Sequence, residues 1–183
     1  MKLGAVVVAV SLAVTAAGCK PNTPRPPFPP ITGAPFADLD LSVSRATNVV
    51  ADALRHDSLP VSLVSPRDGL IETPWFDAST LAPTGARILG PNVVRIRAWL
   101  DPTKPGASHL TMETVYRPLA DPSLPERELD RQVPPDHPIG KRTADIVSSL
   151  AKLYGEVASD SVQATPFSVP EADSTKPKPS PTP

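Results

Sequence analysis

Cys19 is the single cysteine of this 183-residue chain, and it closes a short apolar run that opens at Leu3. With no second cysteine, an internal disulfide is excluded, and the thiol is left as a free nucleophile or a point of covalent attachment. The other side chains capable of chemistry are scattered. His56, His109 and His137 lie far apart, and none joins a cysteine or carboxylate at metal-ligand spacing. Each reads as a surface or loop histidine. Asp121, Glu126, Glu128 and Asp130 form an acidic group, but proline and arginine interleave it, as in a solvated loop. Ser42, Ser44 and Ser65 sit at turn and cap positions, without a nucleophile elbow. The sequence holds no phosphate-binding loop and no dinucleotide fingerprint. These residues predict a protein that is not an enzyme, with no metal and no cofactor.

The run ahead of Cys19 has three parts. Lys2 is a positive start, residues 3–14 are apolar, and small residues 15–18 follow. That is the layout of a secretory leader. A membrane-spanning helix needs roughly 20 apolar residues, so this run is too short to remain as one. Ala16, Ala17, Gly18 and Cys19 resemble the lipobox that closes a bacterial lipoprotein leader, with Ala16 where leucine is usual. The resemblance implies cleavage between Gly18 and Cys19, acylation of Cys19, and attachment to a membrane through that lipid. The alternative is ordinary cleavage after Gly18, which leaves a free thiol in an exported protein. Lys20 follows the cysteine. In lipoproteins an aspartate there favours inner-membrane retention, so Lys20 points to the outer membrane, facing the periplasm.

Proline divides the rest. It makes up 26 residues, close to three times the roughly 5% usual. Residues 20–35 read KPNTPRPPFPPITGAP, an expected polyproline II tether that would reach roughly 50 Å at about 3.1 Å per residue. Residues 158–183 form a Pro- and Lys-rich tail with little apolar content after Val169, expected to be disordered. A signal peptide (1–18), a tether (19–35) and a tail (158–183) thus bracket one domain, 36–157. The formal net charge of −1 argues against nucleic acid as a partner.

Within the domain, Ala46, Val49, Val50, Ala53 and Leu54 recur at helical spacing after Ser42 and Ser44. Residues 60–65 and 70–76 predict a strand pair around a turn at residues 66–69, with Pro74 restricting the second to an edge or bulge. Residues 92–100 alternate with period two: Val94, Ile96, Ala98 and Leu100 on one face, Val93, Arg95, Arg97 and Trp99 on the other. Residues 109–116 predict the strand that pairs back, with Leu110, Met112 and Tyr116 inward and Glu113 on the wet face near Arg95 or Arg97. Such an exposed pair contributes at most about 1 kcal/mol. Ile139, Ile146, Val147, Leu150, Leu153 and Tyr154 stripe a closing helix, stopped at Gly155. The expectation is a two-layer α+β domain, a four-stranded antiparallel sheet with two helices on one face.

The segments ADALRHDSLPVSLVSPRDGLIETPWF, VVRIRAWLDP with SHLTMETVYR, and the helix after PPDHPIGKR resemble the domains of BamC-type lipoproteins over most of residues 42–155. BamC is an accessory lipoprotein of the outer-membrane β-barrel assembly machinery, built from helix-grip domains. This chain holds one such domain rather than two. The resemblance implies a helix-grip fold and a non-catalytic role among other envelope proteins. Trp75, Arg95, Arg97 and Trp99 are the candidate partner surface, because aromatic and arginine side chains are enriched at interfaces. The plainer reading is that Trp99 packs under a loop and the arginines are solvated. A second function class is a binding module for a small or lipidic ligand, held between the closing helix and the sheet. A cavity between Met112, Tyr116, Ile146 and Leu150 would favour it.

Overall fold

A computed structural model describes residues 23–85 and 90–155. Cys19 and Gly18 lie outside the described residues, as does the tail. The order of elements is β1 (Phe36–Leu39), α1 (Val43–His56), β2 (Leu63–Ser65), β3 (Leu70–Glu72), β4 (Phe76–Asp77), β5 (Val93–Pro102), β6 (Ser108–Tyr116), α2 (Glu126–Leu129), β7 (Arg131–Gln132) and α3 (Pro138–Tyr154). The domain is α+β with an open antiparallel sheet. Among the described residues seven strands form it, in the order β1-β6-β5-β3-β2, with β4 also on β5 and β7 on β6. The expected four strands are β2, β3, β5 and β6. Beyond them come β1, β7, and β4, which Pro74 separates from β3. None of the described helices is long and apolar enough to cross a membrane.

β5 and β6 are the axis of the sheet, paired from Val94 with Tyr116 to Pro102 with Ser108. Their alternation sends Val94, Ile96, Ala98, Leu100, Leu110 and Met112 to one face, where α1 and α3 cover them. α1 starts after Ser42 and buries Ala46, Val50, Ala51 and Leu54. Burial of a side chain such as Val50 or Leu54 contributes about 1.5–3 kcal/mol. α3 starts at Pro138, where the missing N–H costs no helical bond. His137 caps it, its Nδ1 accepting from the N–H groups of Ile139 and Gly140, and is therefore buried rather than a loose loop residue. Gly155 ends α3 without entering the left-handed region, its N–H donating to the carbonyl of Ala151.

The opposite face departs from expectation. Instead of lying wet, it buries Val93, Arg97, Trp99, Glu113 and Val115. The cover comes from two irregular segments. One is residues 23–35, the strap, which lies across the sheet instead of standing off as a spacer. The other is the connection holding α2, which brings Arg127 and Asp130 over β5 and β6. The four prolines among residues 26–30 have no N–H to offer a ladder, so the strap is held by side chains instead.

Candidate functional site

Three guanidiniums and three carboxylates meet on the strap-covered face. Arg97 is the centre. Its Nε donates to Glu72 Oε1 at 2.8 Å, and its Nη1 donates to Glu113 Oε1 at 3.2 Å and Asp130 Oδ2 at 3.0 Å. The register explains this: on β5, Arg97 lies directly between Glu72 of β3 and Glu113 of β6. Asp130 arrives from the end of α2 and also accepts from Arg117 Nε at 3.0 Å. Glu113 also accepts from Arg127 Nη1 and from the N–H of Ile31 in the strap, both at 2.8 Å.

The side chains of Glu113 and Asp130 are 0% exposed and that of Arg97 is 5% exposed. Two expectations fail here. The pair of Glu113 and Arg97 is a core contact, not an exposed one. Asp130 leaves the solvated acidic loop, while Asp121 stays there, its carboxyl lowered by hydrogen bonds from Ser123. Burial opposes the charge of Arg97, but the Asp130 hydrogen bond and the surrounding Asp130, Glu72 and Glu113 charges outweigh it and raise its pKa. Arg95, half-buried beside Arg97, is lowered, first by desolvation and then by that neighbouring cation.

Aromatic rings complete the arrangement. Phe28 of the strap sits between two guanidiniums, 5.5 Å from Arg97 and 4.6 Å from Arg127. Trp75 lies between Arg95 at 5.2 Å and Arg117 at 4.7 Å. These are cation–π distances. Trp99 is 1% exposed, and among the described residues its indole N–H has no acceptor. The four candidate surface residues, Trp75, Arg95, Arg97 and Trp99, are thus brought to one face. Trp75, Arg97 and Trp99 are buried there and Arg95 is half-buried, a floor rather than an open patch, with Phe28 of the strap over Arg97 and Ile31 packed on the cluster of Trp75, Val93 and Val115.

The strap is pinned at its start and along its middle. Thr23 Oγ1 donates to Asp68 Oδ1 at 2.8 Å, and Arg25 reaches the Asp68 carbonyl at 2.9 Å and Asp101 Oδ1 at 2.5 Å. Hydrogen bonds from Ser65 and then Thr23 hold the Asp68 carboxyl below its ordinary value. In the middle, Arg127 Nη2 donates to the Pro29 carbonyl at 2.7 Å. A turn at residues 32–33, with Gly33 at φ +87°, then feeds the chain into β1. Chemically, the face offers fixed charges, guanidinium planes and aromatic rings.

Sequence reading missed the strap, and two signals pointed to it: Phe28 and Ile31 are costly in a spacer, and Val93 and Trp99 are costly on a wet face.

The remaining candidates stay apart. His109 pairs with Asp38 at 2.7 Å and stacks on Phe36, His137 bonds the Pro91 carbonyl at 2.8 Å, and His56 is exposed at the end of α1. No group of three or more potential metal ligands is gathered among the described residues. Around the ligand position expected between α3 and the sheet, Met112 and Leu150 are buried in the main core, and Tyr116 and Ile146 pack partly buried against it. A groove of about 350 Å³ opens between α1 and α3, with Ala53, Ile146, Leu150 and Leu153 beside the ion pair of Arg142 and Asp57. No protein-family model matches the chain, and no curated protein matches it.

Proposed function

We propose that this chain is a non-catalytic envelope lipoprotein, anchored through acylated Cys19 and acting as an interaction module for other envelope proteins. The carrying observation is the position of Cys19, the only cysteine, at the close of an apolar leader and four residues before the strap. One acyl chain binds a membrane marginally, and several hold it stably. The helix-grip reading draws support from α1 and α3 both packing on one face of the antiparallel sheet. The likeness to BamC-type domains rests on the sequence segments, and Lys20 after Cys19 points to the outer membrane, facing the periplasm. The interaction role is drawn from the likeness to BamC-type domains; the Trp and Arg face, a side-chain mixture typical of interfaces, is closed by the strap in this structure.

Cys19→Ser is expected to release the protein from membranes and to end fatty-acid labelling. Unchanged membrane retention of that variant removes the anchor. Affinity purification from envelope extracts is expected to enrich a defined protein partner. Recovery of the protein alone counts against the interaction role.

A further inference from the structure

We infer that the sheet face floored by Arg97, Trp99 and Trp75 is a binding site for proline-rich segments bearing arginine and, three residues on, phenylalanine, and that the strap fills it in cis. The partner is a segment of that chemistry carried by another chain. This deepens the interaction-module reading above and rests on it.

The chemistry of the ligand is read from the contacts of the strap. Arg25 is recognised by an acidic rim, Asp101 and the backbone carbonyls of Asp68 and Leu100. Phe28 enters a slot between Arg97 and Arg127. A carbonyl one residue later, at Pro29, is held by Arg127, and the N–H at residue 31 is held by Glu113. An extended proline segment keeps such groups at fixed spacing at little entropic cost, and aromatic-lined grooves recognise it for that reason.

Two observations make the strap a replaceable occupant rather than a fixed part of the sheet. Described strap residues before Pro35 add no strand to the sheet; their grip is side-chain and single-bond contacts. The strap joins β1 through one turn at residues 32–33, where Gly33 has open space around its Cβ position and a left-handed φ, a ready hinge.

The test uses the full-length chain and a labelled peptide of sequence KPNTPRPPFPPITGAP. In the wild type the tethered strap competes at an effective concentration of about mM, so peptide binding is weak. In the Arg25→Ala/Phe28→Ala variant it is expected to tighten by roughly a hundredfold, the scale on which tethering acts. The bound peptide should return the indole N–H resonances of Trp75 and Trp99 to their wild-type positions. A peptide with alanine for its arginine and phenylalanine should fail to bind. If the variant unfolds, recovery of its fold on adding the peptide supports the site equally. A folded variant that ignores the peptide overturns the inference, and so does an unfolded one that the peptide does not rescue. A wild-type dimer that Phe28→Ala dissolves supports it, with a second copy as the source of the segment. Membrane release by Cys19→Ser is indifferent to all of these outcomes, so failure of the site and failure of the anchor are read separately.

Discussion

Replacing Arg97 with methionine tests whether the strap-covered face is a true interior. Methionine has a similar length and keeps much of the packing, but removes every charge contact of the centre. Arg97 faces Glu72, Glu113 and Asp130 at 2.8, 3.2 and 3.0 Å. At an effective dielectric constant of about 20, each contact near 3 Å has a gross attraction of roughly 5 kcal/mol. Desolvation of each buried ion opposes this by several kcal/mol, so the intact cluster contributes far less than the gross sum. The mutation is not symmetrical, however. It leaves Glu113 and Asp130 buried with fewer cations: Arg127 at 2.8 Å for the first, Arg117 at 3.0 Å for the second. Removing one member of a buried charge cluster costs about 3–5 kcal/mol, and that is the expected loss for Arg97→Met.

Urea unfolding at pH 7, followed by tryptophan fluorescence, is suited to the measurement. Trp75 and Trp99 are the only tryptophans and both belong to this face. Adding Glu113→Gln to Arg97→Met should cost less than the sum of the two single changes, since each removes the other's partner. Raising the salt to about 1 M should alter the loss little, because buried pairs are weakly screened. A loss below about 1 kcal/mol, with an unchanged denaturant slope, is the range of an exposed pair and would refute the buried cluster.

Two further outcomes follow from local geometry. Gly69 sits at φ +62° in the turn between β2 and β3, and a Cβ there would meet the Leu100 carbonyl oxygen at 2.2 Å. Gly69→Ala should therefore destabilise by about 1–3 kcal/mol, and an unchanged melting temperature would contradict this turn. Asp77 accepts hydrogen bonds from Ser79 and Thr80, and these lower its carboxyl from 3.8 to about 2. A carboxyl lowered in the folded state adds stability above pH 3.8 that is lost as pH falls towards 2. Asp77→Asn keeps the accepting oxygen and should remove only that acid dependence; an NMR titration of Asp77 with a midpoint near 4 would sink the assignment.

The residues that could be read in advance are those whose partners are close in sequence or enforced by periodicity. The stripe of Val50 and Leu54 and the alternation of Ile96, Ala98 and Leu100 carry their own signal, and the elements appear where those patterns lie. β1 and β7 escaped because FADL and RQ are too short to express a period; they are strands only because β6 offers them an edge. The ion cluster escaped for another reason. Arg97 reaches Asp130 across 33 residues, Ile31 reaches Glu113 across 82, and Arg127 reaches Pro29 across 98. Alternation placed Arg97 and Glu113 on the same face correctly. It had no means of saying that the face would be roofed by a proline segment, since such a segment lacks the N–H groups and the periodicity that announce an element.

The roof changes what an anchor at Cys19 would do. A free tether of residues 20–35 holds the domain up to roughly 50 Å from the lipid. With the strap docked from Thr23 onward, only residues 20–22 intervene, and four steps of chain span at most about 14 Å. An acylated Cys19 would then place the rim formed by Asp68 and Asp101, where Arg25 docks, close to the headgroups. Displacement of the strap by a segment in trans would return residues 23–35 to the tether. Binding a partner and lifting the domain away from the membrane would then be one event, because the same residues cannot both hold to Arg97 and Glu113 and bridge the distance. The free energy that holds the strap on the sheet would therefore set the affinity for a partner and the height of the domain together. Weakening Phe28 should raise both, and a variant that gained one without the other would separate the strap from the tether.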